Sequence, residues 1–222
     1  LQPSDSQECK EFVKRGFEIS EEFDTPIIVG SSTRISHSVS VVELEDRYEC
    51  GVKEYKKDFE KYVMMPAMGR KRHVIVEERM EALKKFAEKT ELNQIQWGDK
   101  KIGVITSGIA YQYAREAFGD VSYLKLGMVY PLSEKLICDF ADQVEQIYVV
   151  EEGDPFFENQ IKAMGIDVIG KDKLPLTGEL NTQIIREKML GENIEIKNLI
   201  PDSAQLGRPL CVQGALIEEH FM

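Results

Sequence analysis

The chain has 222 residues, of which 42% are apolar, so it can fill the core of one large domain or two small ones. Its formal charge of −11 repels phosphates, which argues against general binding to DNA or RNA. No apolar run approaches the ~20 residues of a membrane span, and the first residues lack a basic-then-apolar signal, so we predict a cytoplasmic protein with no membrane contact.

The spacing of cysteine and histidine excludes several kinds of site. No C-x-x-C pair supports a zinc ribbon, an iron–sulfur cluster or a thioredoxin-type centre, and no H-E-x-x-H pair or G-x-S-x-G elbow is present. We therefore expect buried free thiols and no independent hydrolase or zinc chemistry. The residues concerned are Cys9, Cys50, Cys138, Cys211, His37, His73 and His220.

The N-terminal stretch predicts one helix and one strand. Ser4 and Gln7 have the spacing of a capping box, and the helix that they open should end at Asp24, before a proline. The apolar run at 27–29 predicts a short buried strand ending at Gly30. This αβ unit is too small to close a core alone. Its helix is expected to share an apolar face of Cys9, Phe12, Val13 and Phe17.

Residues 45 to 98 are richer in charge, and Pro66 and Gly69 are expected to interrupt any long element. We predict a loop followed by one helix near 74 to 91. Its apolar face would consist of Val76, Met80, Leu83 and Ala87.

Residues 101 to 170 alternate between strand and helix. This alternation predicts an α/β fold, with a parallel sheet that has helices on both faces and right-handed crossovers. Asp154 and Pro155 suit the first positions of a helix, and Gly165 suits the position after its end. The predicted strands are "IGVIT", "SYLKLG", "QIYVVE" and "DVIG", and the predicted helices end at Phe118 or span Ser133 to Val144 and Pro155 to Met164.

The strand-to-helix corner at Gly108 resembles the start of a nucleotide site. However, "KKIGVITSGIAYQYAREAFG" contains neither the G-x-G-x-x-G spacing of a dinucleotide turn nor the spacing of a P-loop. We therefore interpret Gly108 as a structural residue of a tight turn.

Several stretches together carry a family resemblance. They are "LQPSDSQECKEFVKRGFEISEEFDTPIIVGSSTRISHS", "KYVMMPAMGRKRHVIVEER", "GVITSGIAYQYAREA", "LKLGMVYPLSEKLICDFA" and "VVEEGDPFFENQIKAMG". In this order they resemble the large (alpha) subunit of indolepyruvate:ferredoxin oxidoreductase. The resemblance implies a thiamine diphosphate-dependent enzyme that oxidatively decarboxylates arylpyruvates to an acyl-coenzyme A and passes the electrons to ferredoxin.

The resemblance also implies a domain assignment. Residues 1–45 would end a pyrimidine-binding domain, 46–98 would be a linker and helix, 99–200 a transketolase C-terminal-like domain, and 201–222 a tail. The cofactor-activating glutamate is expected upstream of Leu1, and "GRPLC" at 207 to 211 resembles the approach to the diphosphate domain.

The same resemblance implies what lies outside this chain. Thiamine diphosphate, Mg²⁺ and iron–sulfur clusters belong to the complete enzyme, because the Mg²⁺–diphosphate motif and the cysteine-rich run are not found in these residues. The implied partners are the missing alpha-subunit domains, a smaller beta subunit, ferredoxin and coenzyme A. We expect the chain alone to be a structural portion that binds none of these cofactors and is inactive.

"STRISHS" contains Arg34 and His37, the two candidate catalytic residues, just past the predicted strand. Loops at this edge of open α/β sheets meet ligands. Arg34 could bind a carboxylate through two hydrogen bonds, and His37 could titrate near neutral pH. We favour the simpler interpretation, in which both residues pin an interdomain loop.

"GRKRH" concentrates Arg70, Lys71, Arg72 and His73 within an acidic chain. The first three are candidate cofactor-binding residues, because a basic cluster could contact the phosphates of coenzyme A. It could equally meet an acidic face of the partner subunit or be a solvated loop ahead of the helix. These alternatives stay open.

"VVEEGD" places Glu151, Glu152 and Asp154 after a predicted strand. Clustered carboxylates can shift one another's pKa or bind a cation. We favour helix capping and solvation, since no further oxygen ligand is evident, and we predict no metal site.

Two other functions remain open. The chain could be a noncatalytic module for protein interaction, or the same region of a pyruvate or 2-oxoglutarate:ferredoxin oxidoreductase.

Overall fold

In the computed structural model, residues 1–193 are described, except residues 48, 50 and 53. Residues 1–192 form one compact unit. The strands are β1 (Asn93–Gln96), β2 (Asp99–Thr106), β3 (Val121–Leu126) and β4 (Gln146–Val150). The helices are α1 (Ser6–Phe23), α2 (Thr33–His37), α3 (Phe59–Tyr62), α4 (Pro66–Ala87), α5 (Gly108–Phe118), α6 (Glu134–Ala141), α7 (Phe156–Ala163) and α8 (Thr182–Ile185), and a π-helical segment follows at Arg186–Leu190.

Several predictions concern residues outside this description. They are the predicted thiols Cys50 and Cys211, His220, the stretch "GRPLC" and the tail at 201–222.

The four strands of the described residues form one sheet in the order β1-β3-β2-β4. β2 pairs in parallel with both β3 and β4, so that Val104 lies opposite Tyr123 on one side and Tyr148 on the other. The predicted parallel sheet is therefore confirmed for these three strands. β1 is antiparallel to β3 at the sheet edge, in a stretch for which only a linker and a helix were predicted.

The predicted strand "DVIG" is reduced to a single bridge. Ile169 pairs with Tyr148, and its backbone N–H donates to the Ile147 carbonyl at 3.0 Å, while its carbonyl accepts from the Val149 N–H at 2.8 Å. A turn begins directly afterwards, at residues 170 to 173, so the pairing cannot extend into a full strand.

Helices cover both faces of the sheet, as predicted for this α/β fold. Successive strand residues point to opposite faces. Val104 and Tyr148 pack with α5 and α8, whereas Ile105 and Val149 pack with α6 and α7. The predicted apolar stripes of α5 and α6 include the buried residues Ala110, Ala114, Ala117, Ile137 and Phe140. Each large side chain buried in this way contributes about 1.5–3 kcal/mol before ordering entropy is subtracted.

α1 is capped one residue later than the Ser4–Gln7 spacing predicted. The Asp5 carboxylate accepts the Glu8 N–H at 2.9 Å, and the Glu8 carboxylate accepts both the N–H and the hydroxyl of Ser4, each at 2.9 Å. The helix ends at Asp24, as predicted. The predicted face was partly wrong: Phe12 and Ile19 are buried, but Val13 and Phe17 are 47% and 71% exposed.

The predicted strand at 27–29 does not form, and its central residue Ile28 is 81% exposed. Ile27 and Val29 pack against the core around α1. The backbone of this segment bonds to residue 1: the Gly30 N–H donates to the Leu1 carbonyl at 2.9 Å, and the Leu1 ammonium donates to the Ile28 carbonyl at 2.7 Å. An apolar run becomes a strand only where a neighbouring strand can complete its hydrogen-bond ladder.

α4 begins at Pro66, eight residues before the predicted start near 74, and contains Gly69. The prediction that these two residues interrupt the helix was wrong. Proline is favoured at the first helical position, and an interior glycine costs only about 1 kcal/mol relative to alanine. The C-terminal end of α4 packs against α1 in a third core of Phe12, Ile19, Leu83, Ala87, Leu92 and Met128.

Candidate functional site

The connections of β2 and β4 make a crevice at the carboxyl edge of the sheet. These neighbouring strands are followed by α5 and α7, which pack on opposite faces. In open α/β sheets, such a change of side leaves the crevice in which ligands bind. We call this space the switch crevice.

The switch crevice encloses about 490 Å³. Its walls are the start of α5, the segment after β4, the first turn of α7, and the loop that enters α2. The lining residues include Gln2, Pro3, Gly30, Ser31, Ser32, Ile35, Ser107, Gly108, Ile109, Ala110, Val129, Glu151, Glu152, Asp154, Phe156 and Phe157.

Gly108 begins α5 with φ +53°, in the left-handed region that favours glycine. The preceding Ser107 does not cap the helix with its side chain; its hydroxyl instead donates to the Gln2 side-chain carbonyl at 2.6 Å. The Gln2 N–H also donates to the Gly127 carbonyl at 2.9 Å. The corner thus joins the N-terminal segment to the sheet, in agreement with the structural role predicted for Gly108.

Glu151 is buried at the end of β4 and caps α7. Its carboxylate accepts the N–H groups of Phe157 at 2.8 Å and Glu158 at 3.0 Å. Burial raises the pKa of Glu151, although these N–H donors and Lys171 act in the opposite direction. The capping role is as expected, but the carboxylate comes from Glu151, whereas Asp154 was predicted to cap this helix and Pro155 occupies that position.

Glu152 lines the switch crevice beside Glu151. The surrounding protein raises the pKa of Glu152 by desolvation, and the charge of Glu179 adds to this effect. Lys171 and Arg34 lower it. The Lys171 ammonium also donates to the Glu151 carbonyl at 2.7 Å, so a cation accompanies the carboxylates at this edge.

The candidate residues Arg34 and His37 both lie in the short helix α2, and both side chains are exposed. The Arg34 guanidinium pairs with the carboxylate of Glu179 and does not line the switch crevice. α2 contributes Ile35 instead, a buried residue whose N–H is capped by the Ser32 hydroxyl at 3.4 Å. The observed ion pair is the kind of loop-pinning contact that we favoured for Arg34.

The basic cluster at 70–73 lies within α4, so its placement in a loop ahead of the helix was wrong. Arg72 is 3.5 Å from the Asp24 carboxylate, and Lys71 is 3.5 Å from that of Glu60. His73 pairs with Glu77 one turn along the helix at 3.4 Å. Arg70 is exposed. The cluster is therefore separate from the switch crevice, none of whose lining residues comes from α4.

Glu8 of α1 and Lys125 of β3 form a buried ion pair that no local sequence pattern indicates. The two side chains are only 11% and 5% exposed. The Lys125 ammonium also lies 4.5 Å from the centre of the Tyr111 ring, a cation–π contact. Because the partners are 117 residues apart, only the folded arrangement brings them together.

The resemblance implies thiamine diphosphate, whose diphosphate is neutralised by a divalent cation. Within residues 1–193, leaving out the three gaps, no group of three or more His, Cys, Asp or Glu side chains could hold a metal ion. These residues do not fit a metal–diphosphate site, and we assign no reaction step to one here. The switch crevice contains no histidine, and its Ser107 hydroxyl is engaged by an amide.

The described part of the chain also has no helix with the length and apolarity that a membrane span needs. Its two cysteines, Cys9 and Cys138, are free thiols that are only partly buried, so the expected full burial was wrong for them.

Comparison with known proteins finds close relatives. The chain is 37% identical over 190 residues to the indolepyruvate oxidoreductase subunit IorA of Archaeoglobus fulgidus. This alignment covers 82% of this chain and 30% of the relative. The subunit IorA of Methanothermobacter thermautotrophicus is 34% identical over 95% of this chain and 37% of its own length. That of Thermococcus kodakarensis is 34% identical over 82% of this chain and 31% of its own length.

No family model matches the chain. One solved structure, a 2-oxoglutarate:ferredoxin oxidoreductase from Magnetococcus marinus with 2-oxoglutarate, coenzyme A and succinyl-CoA bound, aligns with a TM-score of 0.45 at 17% identity. The alignment covers 57% of this chain and 23% of that one. Over the matched residues, the chain belongs to the family of the indolepyruvate oxidoreductase subunits IorA, and it spans about a third of the length of those relatives.

Proposed function

We propose that the chain is part of the large subunit of an indolepyruvate:ferredoxin oxidoreductase. The complete enzyme would oxidatively decarboxylate an arylpyruvate to an acyl-coenzyme A and pass the electrons to ferredoxin. The observation that supports this proposal is the 37% identity to a subunit named IorA, sustained over 190 residues. The partners would be further alpha-subunit domains and a smaller beta subunit, in the cytoplasm.

In this proposal the chain supplies architecture. Thiamine diphosphate, Mg²⁺ and iron–sulfur clusters would be held by other segments, and thiamine diphosphate would supply the decarboxylation chemistry. Residues 1–45 would close the pyrimidine-binding domain, 46–98 would link it onward, and 99–200 would be a transketolase C-terminal-like domain. The third core packs α1 against the end of α4 and against Leu92 and Met128, which lie next to β1 and β3, so it holds the N-terminal unit beside the sheet.

For Arg34 and His37, two roles stay possible in the complete enzyme. Arg34 could hold the carboxylate of the 2-oxoacid, or it could pin its loop through Glu179. The observed ion pair supports pinning. If Arg34 binds substrate instead, its replacement by alanine would raise KM for the 2-oxoacid and leave KM for coenzyme A unchanged.

For Arg70, Lys71 and Arg72, the alternatives are the phosphates of coenzyme A and an acidic surface of a partner. Replacing Arg70 and Arg72 together by alanine would raise only the coenzyme A KM in the first case. Equal effects on both substrates, or none, would favour a structural role.

The proposed function is tested by assaying the enzyme that contains this chain. Reading the flanking coding sequence identifies the segments encoded beside it, and the joined subunit can then be produced with its co-encoded smaller subunit. We expect reduction of ferredoxin that requires both indolepyruvate and coenzyme A. Turnover with pyruvate or 2-oxoglutarate but not indolepyruvate would assign the chain to a related enzyme, and no turnover with any 2-oxoacid would favour a noncatalytic interaction module.

A further inference from the structure

The start of α4 and the residues before it carry an unusual number of exposed apolar side chains. Eight of them, which we call the α4 surface, are between 38% and 71% exposed. One lies in the segment before α3, and the others lie on α3, on the connection at 63 to 65 and on the first half of α4. The α4 surface consists of Tyr55, Phe59, Tyr62, Met64, Met65, Val74, Ile75 and Val76.

Among the described residues, the first half of α4 contains no fully buried residue, although Met68 and Arg72 are partly buried. Val74, Ile75 and Val76 follow one another at about 100° around the helix axis, and all three are exposed. The buried residues of α4, Leu83 and Ala87, lie near its other end. Most helical stability in proteins comes from packing of an apolar face, so this half of the helix lacks its usual support.

Ion pairs orient the α4 surface without covering it. The Asp24 carboxylate at the end of α1 is 2.5 Å from the Lys61 ammonium, 3.5 Å from Arg72 and 3.3 Å from Arg79. The hydrogen bond from Lys61 is the main cause that lowers the pKa of Asp24. α3 and α4 are thereby tied to the residue that caps the end of α1, and their apolar side chains are left facing solvent.

The surrounding charge is opposite to that of the chain as a whole. Residues 56–72 contain six Lys or Arg and two Asp or Glu, whereas the whole chain has a formal charge of −11. Arg70 and Lys71 are exposed in the first turns of α4, a few residues after Met64 and Met65 in the sequence. A basic border thus accompanies the apolar side chains.

The exposed area is large enough for a specific interface. With about 150–250 Å² for a fully accessible aromatic side chain and the exposed fractions above, the eight residues present on the order of 800 Å². A standard interface buries about 800 Å² on each partner, whereas the largest apolar patch of a typical monomer is about 300–600 Å².

We propose that the α4 surface binds a different polypeptide chain, one with an apolar centre and an acidic border. Two copies of this chain that met symmetrically through the α4 surface would place the basic residues against one another. The phosphates of a nucleotide or of coenzyme A would use the cations but leave the apolar side chains exposed. The inference rests on this surface and not on the proposed reaction.

The test uses the full chain, tagged and purified from cells that also produce its natural partners. A captured polypeptide is identified, produced separately, and titrated with variants of this chain. We expect Val74→Ser, and Arg70→Glu combined with Lys71→Glu, each to weaken binding at least about tenfold. Matched controls are Leu176→Ser, which is as exposed as Val74 at 58%, and Lys135→Glu on α6; both should bind like the original chain.

Four outcomes would overturn the inference. The first is the capture of no other polypeptide, and the second is equal binding by the α4-surface variants and the controls. The third is self-association of the isolated chain that these variants abolish. The fourth is that coenzyme A, but not the captured polypeptide, protects Arg70 and Lys71 from chemical modification. Circular dichroism and urea unfolding of each variant separate lost binding from lost folding. These measurements do not depend on turnover, so the inference about the α4 surface can fail while the proposed function stands.

Discussion

The buried pair of Glu8 and Lys125 shows how single residues join the N-terminal unit to the sheet. Glu8 accepts two hydrogen bonds from Ser4 and forms an ion pair with Lys125, so both of its carboxylate oxygens are engaged. Removing one partner of a buried pair leaves an uncompensated charge, which is far more costly than the loss of an exposed pair.

We therefore predict that Lys125→Ala lowers the free energy of unfolding by about 3–5 kcal/mol, measured by urea denaturation. The double variant Glu8→Gln with Lys125→Met removes both charges and should recover most of this loss. Lys84→Ala, in an exposed pair with Glu81, should change stability by at most about 1 kcal/mol. A loss for Lys125→Ala as small as that of Lys84→Ala would show that the Glu8–Lys125 pair is not desolvated.

The raised pKa of Glu151 predicts how the stability of the folded chain changes with pH. Burial raises its pKa in the folded chain, so between its ordinary value of 4.5 and this raised value the folded state holds more proton than the unfolded state. The contribution of Glu151 to stability is therefore fully present below pH 4.5 and is lost as the pH rises through the folded pKa. Relative to the original chain, Glu151→Gln should become progressively more stable across that window, measured by urea unfolding at successive pH values.

Glu81→Gln is the control of opposite sign. The hydrogen bond from Lys84 lowers the pKa of Glu81, so the original chain gains from this carboxylate as the pH rises to 4.5. The same pH trend in both variants would mean that burial of Glu151 does not govern its titration.

At the scale of elements, helices and strands were predicted best in the part of the chain where segments of helical periodicity alternate with strand segments. α5, α6 and α7 each carry an apolar stripe and follow strands that contain an apolar run, so their existence and order could be predicted. β1 could not, because its sequence "NQIQ" is mostly polar and it becomes a strand only by pairing with β3. The sequence predicted that loops after the strands face a ligand edge. The strand order that forms the switch crevice, and the capping of α7 by Glu151, depend on contacts that spacing does not encode.

Gly69 and Gly108, the two glycines interpreted from the sequence, allow a matched test of backbone conformation within a helix and at a strand-to-helix corner. Gly69 lies in α4 with nothing within 4 Å of the position where a Cβ would be, and its backbone φ is not positive. We predict that Gly69→Ala stabilises the chain by about 0.5–1 kcal/mol, because alanine loses less backbone entropy in a helix.

Gly108→Ala should instead destabilise the chain by about 1–2 kcal/mol, since φ +53° is unfavourable for alanine even though no atom blocks its Cβ. Thermal and urea unfolding of the two variants measure both effects. Equal changes of the same sign would contradict the distinction between a helical glycine and one required at a corner.

At the scale of the whole molecule, the chain combines an acidic exterior with one locally basic, apolar region. The core is spread over three clusters that link α1, the sheet and its helices into one unit. Within this unit the α4 surface and the switch crevice remain accessible to further contacts. This is the arrangement expected of a segment that works within a larger assembly.

In the proposed role, this chain supplies architecture and other segments hold the thiamine cofactor. The most direct measurement is a calorimetric titration of the purified 222-residue chain with thiamine diphosphate and Mg²⁺. We expect weak binding or none, because without an anchored diphosphate the remaining ring contacts do not offset the cost of ordering the ligand. Binding with a Kd of about 1 μM, equivalent to about 8 kcal/mol, would instead show that this chain holds a complete cofactor site and would rule out the proposed division of roles.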